Sequence, residues 1–146
     1  FLMEKGIDFP KIIDNSFFAK TYGQAKLHGR AVLDSVRILD NRCVYTVVTT
    51  DELREYGCTV KATDGIVDQL RIIEGVEIAF LLYQTGNPGE YKVSLRTNSA
   101  VDVSRIAQSF GGGGHVKAAG CTMTGEPQEI VEKISGKIRE QWEELK

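Results

Sequence analysis

The chain has 146 residues, 42% of them hydrophobic and 26% charged, with a formal net charge of −2. These proportions suit one folded domain rather than a disordered or fibrous chain, and the slight acidity argues against a DNA-coating protein, so any site for a polyanion must be local. No stretch approaches the roughly 18 apolar residues of a spanning helix and no cleavable leader is legible, so no membrane partner is expected and the expected compartment is cytoplasmic.

Phe1 opens the chain, and Phe1-Leu2-Met3-Glu4-Lys5-Gly6 reads as the tail of an earlier helix, which predicts a piece of a longer protein. Residues 9–20 and 22–39 read as helices. The second, a long connecting helix, carries Tyr22, Ala25, Val32, Val36 and Leu39 near helical spacing and ends at Asp40-Asn41. The β-branched run 42–49 predicts a strand. A helix over 51–56 follows, with Thr50 as N-cap and Gly57 as its end.

Ile66, Val67, Leu70 and Ile73 fall on one helical face within 65–73, before Gly75 breaks the pattern. The apolar run 76–83 predicts a central buried strand. Residues 91–97 alternate Tyr91, Val93 and Leu95 with Lys92, Ser94 and Arg96, so Ser94 and Arg96 share the face away from the core, with Asn98 if the strand continues. Thr85-Gly86-Asn87-Pro88-Gly89 joins the two as a hairpin loop. Asp102 is expected to cap a short helix bearing Val103, Ile106, Ala107 and Phe110. The glycines at 111–114 interrupt that helix, and His115 opens a further helical segment ended by Gly120. Cys121–Thr124 reads as a last short strand, and Pro127 introduces a helix with Ile130, Ile134, Ile138 and Trp142 in one stripe. The predicted class is α/β: a mixed β-sheet flanked by helices, with an N-terminal connecting helix.

Phe110-Gly111-Gly112-Gly113-Gly114-His115 is the segment with the most chemistry in it. Four glycines together weaken a fold by roughly 2–4 kcal/mol, from about 0.4–1 kcal/mol each in unfolded-state entropy. A flexible linker is the plain explanation, but no Ser, Pro or charged spacer accompanies them. The functional explanation is that Gly111, Gly112, Gly113 and Gly114 let the backbone come close to an anion and turn successive N–H groups toward it, with the following helix N-terminus adding its dipole. His115 and Lys117 lie beside this loop in sequence, and Arg96 and Arg105 are near. Arg96 is the stronger candidate, because a planar guanidinium suits bidentate phosphate binding; Arg105 reads better as a solvated helix face.

The GxxxxGK[ST] phosphate loop is absent, and a dinucleotide GxGxxG needs a strand directly before it. Cys43, Cys58, Cys121, His28 and His115 form neither a disulfide framework nor a zinc pattern, and His28 reads as structural or surface.

The segments Tyr91–Arg96, Val101–Ala107, Phe110–His115 and Ala118-Ala119-Gly120 together resemble the C-terminal DHH-associated domain of DHH-family phosphoesterases, with the nanoRNase and pAp-phosphatase (oligoribonuclease) branch the most similar. Thr63–Asp68 and Gly75–Glu77 add to the likeness. On this resemblance, residues 1–40 are the end of a DHH domain plus its connecting helix, and 41–146 the DHH-associated substrate-binding domain. The family implies a two-domain hydrolase whose N-terminal DHH domain, in cis, holds two manganese ions, while the C-terminal domain grips a short RNA or a nucleotide phosphate.

Carried over, Gly111 to Gly114 become the phosphate loop, His115 its substrate-facing side chain and Arg96 a nucleotide-phosphate contact, with Ser94 and Lys117 as lesser contacts. No Asp-His-His motif is present, so neither catalytic nor metal-binding residues, nor a cofactor, are expected here; manganese is implied only for a full-length parent. The implied function is hydrolysis of very short RNA or of 3′-phosphoadenosine 5′-phosphate by that parent. The same architecture also serves cyclic di-AMP phosphodiesterases and RecJ-like single-strand exonucleases. A non-catalytic alternative is a nucleic-acid-binding module such as the C-terminal domain of alanyl-tRNA synthetases, and a homodimer through the sheet edge or helix 126–145 is a third reading.

Overall fold

The computed structural model describes residues 20–146; the segment 1–6 and, but for Lys20, the helix expected over 9–20 therefore lie outside the described residues. Helix α1 (Tyr22–Leu33) starts on Thr21, whose hydroxyl accepts from the Gln24 amide. It is shorter than the expected 22–39. The Asp34 amide donates to the Arg30 carbonyl and the Ser35 hydroxyl closes on the Val32 carbonyl at 2.7 Å, ending the helix. Residues after that turn form strand β1 (Val36–Ile38), paired antiparallel with β2 (Cys43–Val48). Leu39, Asp40 and Asn41, with φ of 54°, 58° and 63°, make a left-handed hairpin turn for which Asp and Asn are suited. The helical stripe read from Tyr22 to Leu39 is thus replaced: Tyr22 is exposed, and α1 buries Leu27, His28 and Ala31 instead.

After β2 come α2 (Thr50–Glu55), a 3-10 turn (Val60–Thr63) and α3 (Ile66–Arg71), a crossover that returns the chain to β3 (Ile78–Gln84) parallel to β2. The cap of α2 is Thr49, one residue earlier than expected; its hydroxyl accepts from the Glu52 amide while the Glu52 carboxylate accepts from the Thr49 amide. A hairpin leads to β4 (Glu90–Thr97), antiparallel to β3. Then follow α4 (Val103–Gln108), capped by Asp102, β5 (Gly113–His115), β6 (Ala118–Thr124) and α5 (Pro127–Glu144). The six strands lie in the order β1-β2-β3-β4-β6-β5, all pairs antiparallel except β2 with β3. This is the expected mixed sheet between helices.

The alternation along each strand divides the core between two faces. On one face Ile78, Phe80 and Leu82 of β3, Val93 and Leu95 of β4 and Cys121 and Met123 of β6 pack under α4 and the Ile130, Ile134 and Ile138 stripe of α5. On the other, Val44 and Val48 of β2 and Ala79 and Leu81 of β3 pack under Leu27 and Ala31 of α1, Leu53 of α2 and Ile66, Val67 and Leu70 of α3. Because β3 is covered on both sides, its sequence reads as an unbroken apolar run. The helices on the second face cover β3 and reach β4 only where the α3 start overhangs Ser94 and Arg96. The rest of that face of β4 and β6 is left bare, and there the strand alternation supplies Lys92, Ser94, Arg96, Gly120 and Thr122.

Candidate functional site

Strand register arranges the bare face in lateral rows. Ala79, Arg96, Ala118 and His115 are successive partners across β3, β4, β6 and β5; Leu81, Ser94, Gly120 and Gly113 form the next row; Tyr83, Lys92 and Thr122 the third. Residues paired across a sheet project on one side, so Arg96 and His115 face the same way, two strand spacings or about 9–10 Å apart. Between them stands only Ala118. Likewise only Gly120 separates Ser94 from Gly113. These small residues keep the floor low between two polar walls.

The result is an open groove along β4 and β6. One end is lined by Tyr83, Lys92, Ser94, Phe110, Gly111 and Thr122. Its middle passes Ser94 and Arg96 beneath Asp64 and Asp68 of the α3 start. The other end is lined by Asp68, Arg71, Arg96, Asn98 and Lys117. Arg96 is half-buried; its Nε lies 3.3 Å from Asp68 Oδ1 and its Nη1 donates to the Leu95 carbonyl at 2.9 Å. Lys117 is exposed in the turn before β6, and its ammonium donates to the Ser99 carbonyl at 2.9 Å. Cys121 touches the groove wall, where burial raises its thiol pKa, so it stays protonated.

The glycine run differs from its expected form. No helix follows it: residues 113–115 are the edge strand β5, and 118–124 belong to β6, so the helix dipole expected after the glycines is not there. Nor do the first two glycines offer free donors, because the Gly111 and Gly112 amides donate to the Gln108 and Ala107 carbonyls and close the end of α4. Phe110 lies just beyond that helix, packs partly buried against the same core as Val103, Ile106 and Ala107 as expected, and also lines the groove. Glycine is required at 112 by contact, since a Cβ there would stand 2.1 Å from the Gly120 carbonyl oxygen. At Gly114, φ is +145° and a Cβ would press on the Ala119 backbone, on the side away from the groove. Gly113 meets nothing within 4 Å and shares the row of Ser94. The loop therefore acts as a thin wall.

Of the sequence candidates, Ser94, Arg96, Gly111, Gly112 and Lys117 line the groove, and Gly113 and His115 stand on its outer strand. Arg105 does not join them. It pairs with Glu144 through both terminal nitrogens, at 2.9 and 3.2 Å, within the α4–α5 layer on the opposite face of the sheet. His28 is also elsewhere, buried under the start of α3 between the Ala62 carbonyl and Gln69. The groove residues that sequence reasoning did not assign to a site include Tyr83, Asp64, Asp68, Arg71 and Thr122. Tyr83 was concealed in the apolar run of β3, although period-two counting from Ala79 and Leu81 puts it on the bare face.

The family described as the DHHA1 domain matches residues 40–143. Oligoribonuclease NrnB of Bacillus subtilis (strain 168) is 54% identical over 43 residues, 29% of this chain and 11% of NrnB. The bifunctional oligoribonuclease and PAP phosphatase NrnA of Thermus thermophilus is 31% identical over 96 residues, 65% of this chain and 29% of NrnA. Among solved structures, an exopolyphosphatase-related protein from Bacteroides fragilis superposes with a TM-score of 0.82 at 23% identity, over 95% of this chain and 41% of that one. The pGpG-specific phosphodiesterase PggH from Vibrio cholerae gives a TM-score of 0.57 at 18% identity, over 80% and 39%. These two likenesses show the fold. The matched regions make up less than a third of each curated relative.

Proposed function

The chain belongs to the DHHA1 domain family, and on that premise we propose that it is the substrate-binding domain of a DHH-family phosphoesterase acting on very short RNA or on 3′-phosphoadenosine 5′-phosphate. The names of the relatives, two oligoribonucleases of which one is also a PAP phosphatase, support this substrate class. The observation that carries it is the largely uncovered half-face of a sheet otherwise packed under helices, on which Arg96, Ser94 and Lys92 stand in file, with Tyr83 and Phe110 at the Lys92 end. From Lys92 to Arg96 the strand advances about 13 Å. That length suits a substrate of very few nucleotides.

In this reading the domain binds and orients. The Arg96 guanidinium and the Ser94 hydroxyl hold phosphate oxygens through charge-assisted and neutral hydrogen bonds. Tyr83 and Phe110 offer faces on which a base can stack, each worth about 1–3 kcal/mol. His115, on the far strand, closes the row opposite Arg96. A substrate fixed in this way presents its scissile phosphate to a DHH domain supplied in cis, which converts the reaction into a positioned encounter. Among the described residues no three His, Cys, Asp or Glu side chains converge as metal ligands.

The experiment is hydrolysis by the full-length parent with manganese, offered RNA dimers, 3′-phosphoadenosine 5′-phosphate and cyclic di-AMP. Turnover of the first two, lost in Arg96→Ala and His115→Ala proteins that remain folded, supports the proposal. Near-normal turnover in both variants, or turnover of cyclic di-AMP alone, overturns it.

A further inference from the structure

The segment that overhangs the middle of the groove enters α3 without a capping side chain. It runs from the 3-10 turn through Asp64 and Gly65, and Asp64 and Asp68 line the groove there with Ser94 and Arg96. Gly65, the N-cap of α3, has φ of +90° and no side chain with which to hold the first amides of the helix. Ile66, Val67 and Leu70 anchor the body of α3 in the core. Of the entry 62–65, only Thr63 is buried.

That entry is fastened from α1. His28 is 5% exposed and grips both sides of it: Nε2 donates to the Ala62 carbonyl at 2.7 Å, and Nδ1 accepts from the Gln69 side-chain amide at 2.7 Å. Between the two bonds the ring lies against Gly65, where a Cβ would stand 3.7 Å from His28 Cε1. Two donors face Nδ1, the Gln69 amide and the Lys20 ammonium at 3.3 Å, so the ring proton sits on Nε2, opposite the carbonyl. Among the described residues, no other side chain hydrogen-bonds to the backbone of 62–65. His28 itself lines no part of the groove.

The groove side of the same segment carries the Asp68 carboxylate, 3.3 Å from Arg96 Nε. Together with the Leu95 carbonyl, which accepts from Nη1 at 2.9 Å, it sets the plane of the Arg96 guanidinium. A donor fork fixed before its ligand arrives loses less freedom on binding. An ion pair this exposed is weak on its own, so it orients Arg96 only while the start of α3 is itself held.

We infer that His28 is a positioning residue for the groove: through Ala62, Gly65 and Gln69 it sets where the start of α3 lies over Ser94 and Arg96, and so how tightly a nucleotide is held. The inference rests on the nucleotide-binding reading above and gives a role in binding to a residue outside the groove. A purely structural histidine would change stability and leave the affinity of the folded chain as it is.

The test is NMR titration of this chain with diadenylate, for the natural sequence, His28→Leu and His28→Gln. Leucine keeps the bulk and removes both hydrogen bonds; glutamine restores them, because its amide nitrogen donates and its oxygen accepts. His28→Leu is expected to bind about fivefold more weakly, less than the loss of a charged hydrogen bond outright. Its ligand-free spectrum should show the Arg96 Nε–H resonance displaced along with the amides of Ala62 to Asp68. His28→Gln should return to within about twofold of the natural affinity. A folded His28→Leu chain with natural affinity overturns the inference, and so does a His28→Gln chain as weak as His28→Leu. If His28→Leu impairs folding, Gln69→Leu takes its place, since it removes only the Nδ1 partner at a half-buried position. A loss of about twofold with the Arg96 Nε–H resonance displaced then supports the inference, and natural affinity overturns it. Absence of binding by the natural chain removes the nucleotide reading, and the positioning role with it.

Discussion

Arg96 and Asp68 face each other across the mouth of the bare sheet face, 3.3 Å apart and both partly solvent-exposed, at 28% and 47%. An ion pair with that much solvent contributes about 0–1 kcal/mol to stability, whereas a guanidinium bonded to phosphate contributes roughly 1.5–3 kcal/mol to binding. Arg96→Ala should therefore weaken dinucleotide binding by about 10- to 100-fold with a small change in Tm. Titration and thermal unfolding of the same sample check this, and a large loss of Tm with unchanged affinity would assign Arg96 to the fold.

Adjacent glycines of the loop should respond oppositely. Gly112→Ala places a Cβ 2.1 Å from the Gly120 carbonyl oxygen and close to the Cys121 backbone, so the β5–β6 contact must shift. Destabilisation of about 1–3 kcal/mol is expected from such overpacking. Gly113→Ala meets nothing within 4 Å but projects onto the row of Gly120 and Ser94. It should keep the denaturation midpoint and lose nucleotide affinity. Urea unfolding of both variants distinguishes them, and equal midpoints would contradict the geometry of the wall.

Tyr83→Ala tests stacking. The side chain is half-buried at the edge of the helix cover, lining two sections of the groove. Removing a base-stacking ring costs about 1–3 kcal/mol of binding, while Tyr83→Phe should bind nearly as well as the natural protein. If the phenylalanine variant binds as poorly as the alanine variant, the hydroxyl and not the ring carries the contact.

Stability should depend on pH through His28. Its Nε2 donates to the Ala62 carbonyl at 2.7 Å, and its Nδ1 accepts from Gln69 at 2.7 Å and from Lys20 at 3.3 Å. Burial lowers its pKa below the ordinary 6.5; the Ala62 bond opposes this and the Lys20 charge adds to it. Between the folded and unfolded pKa values the unfolded chain binds more protons, so stability rises with pH across that interval. The contribution is complete above about 6.5, the unfolded value, and disappears as pH falls through the folded one. Urea midpoints from pH 7.5 to 5.5 should decline, and His28→Gln should flatten the decline. An equal slope in the variant would place the titrating group elsewhere.

Sequence periodicity made much of this legible. The alternation of residues 91–97 placed Ser94 and Arg96 on the outward face, and the stripe of Ile130, Ile134, Ile138 and Trp142 located α5, because both patterns are local. Strand β5 was not legible. Gly113, Gly114 and His115 have no strand propensity, and their pairing with β6 exists only because Gly112 and Gly114 let the two backbones close. Arg105 is the expected solvated helix face, carried by α4 away from the groove, whereas distance in sequence hid Arg71 and Asp68, which reach the groove from α3. The site is assembled by where helix cover stops, a property of the whole sheet.

The most direct test of that central claim is an amide chemical-shift map of this chain titrated with a short RNA dinucleotide. Shifts confined to Tyr83, Lys92 to Asn98, Gly111 to His115 and Gly120 to Thr122, with α5 unmoved, are the predicted result. Shifts centred on α5 or on the β1 edge, or no shifts at millimolar dinucleotide, would contradict the assignment of the bare β4–β6 face as the nucleotide site.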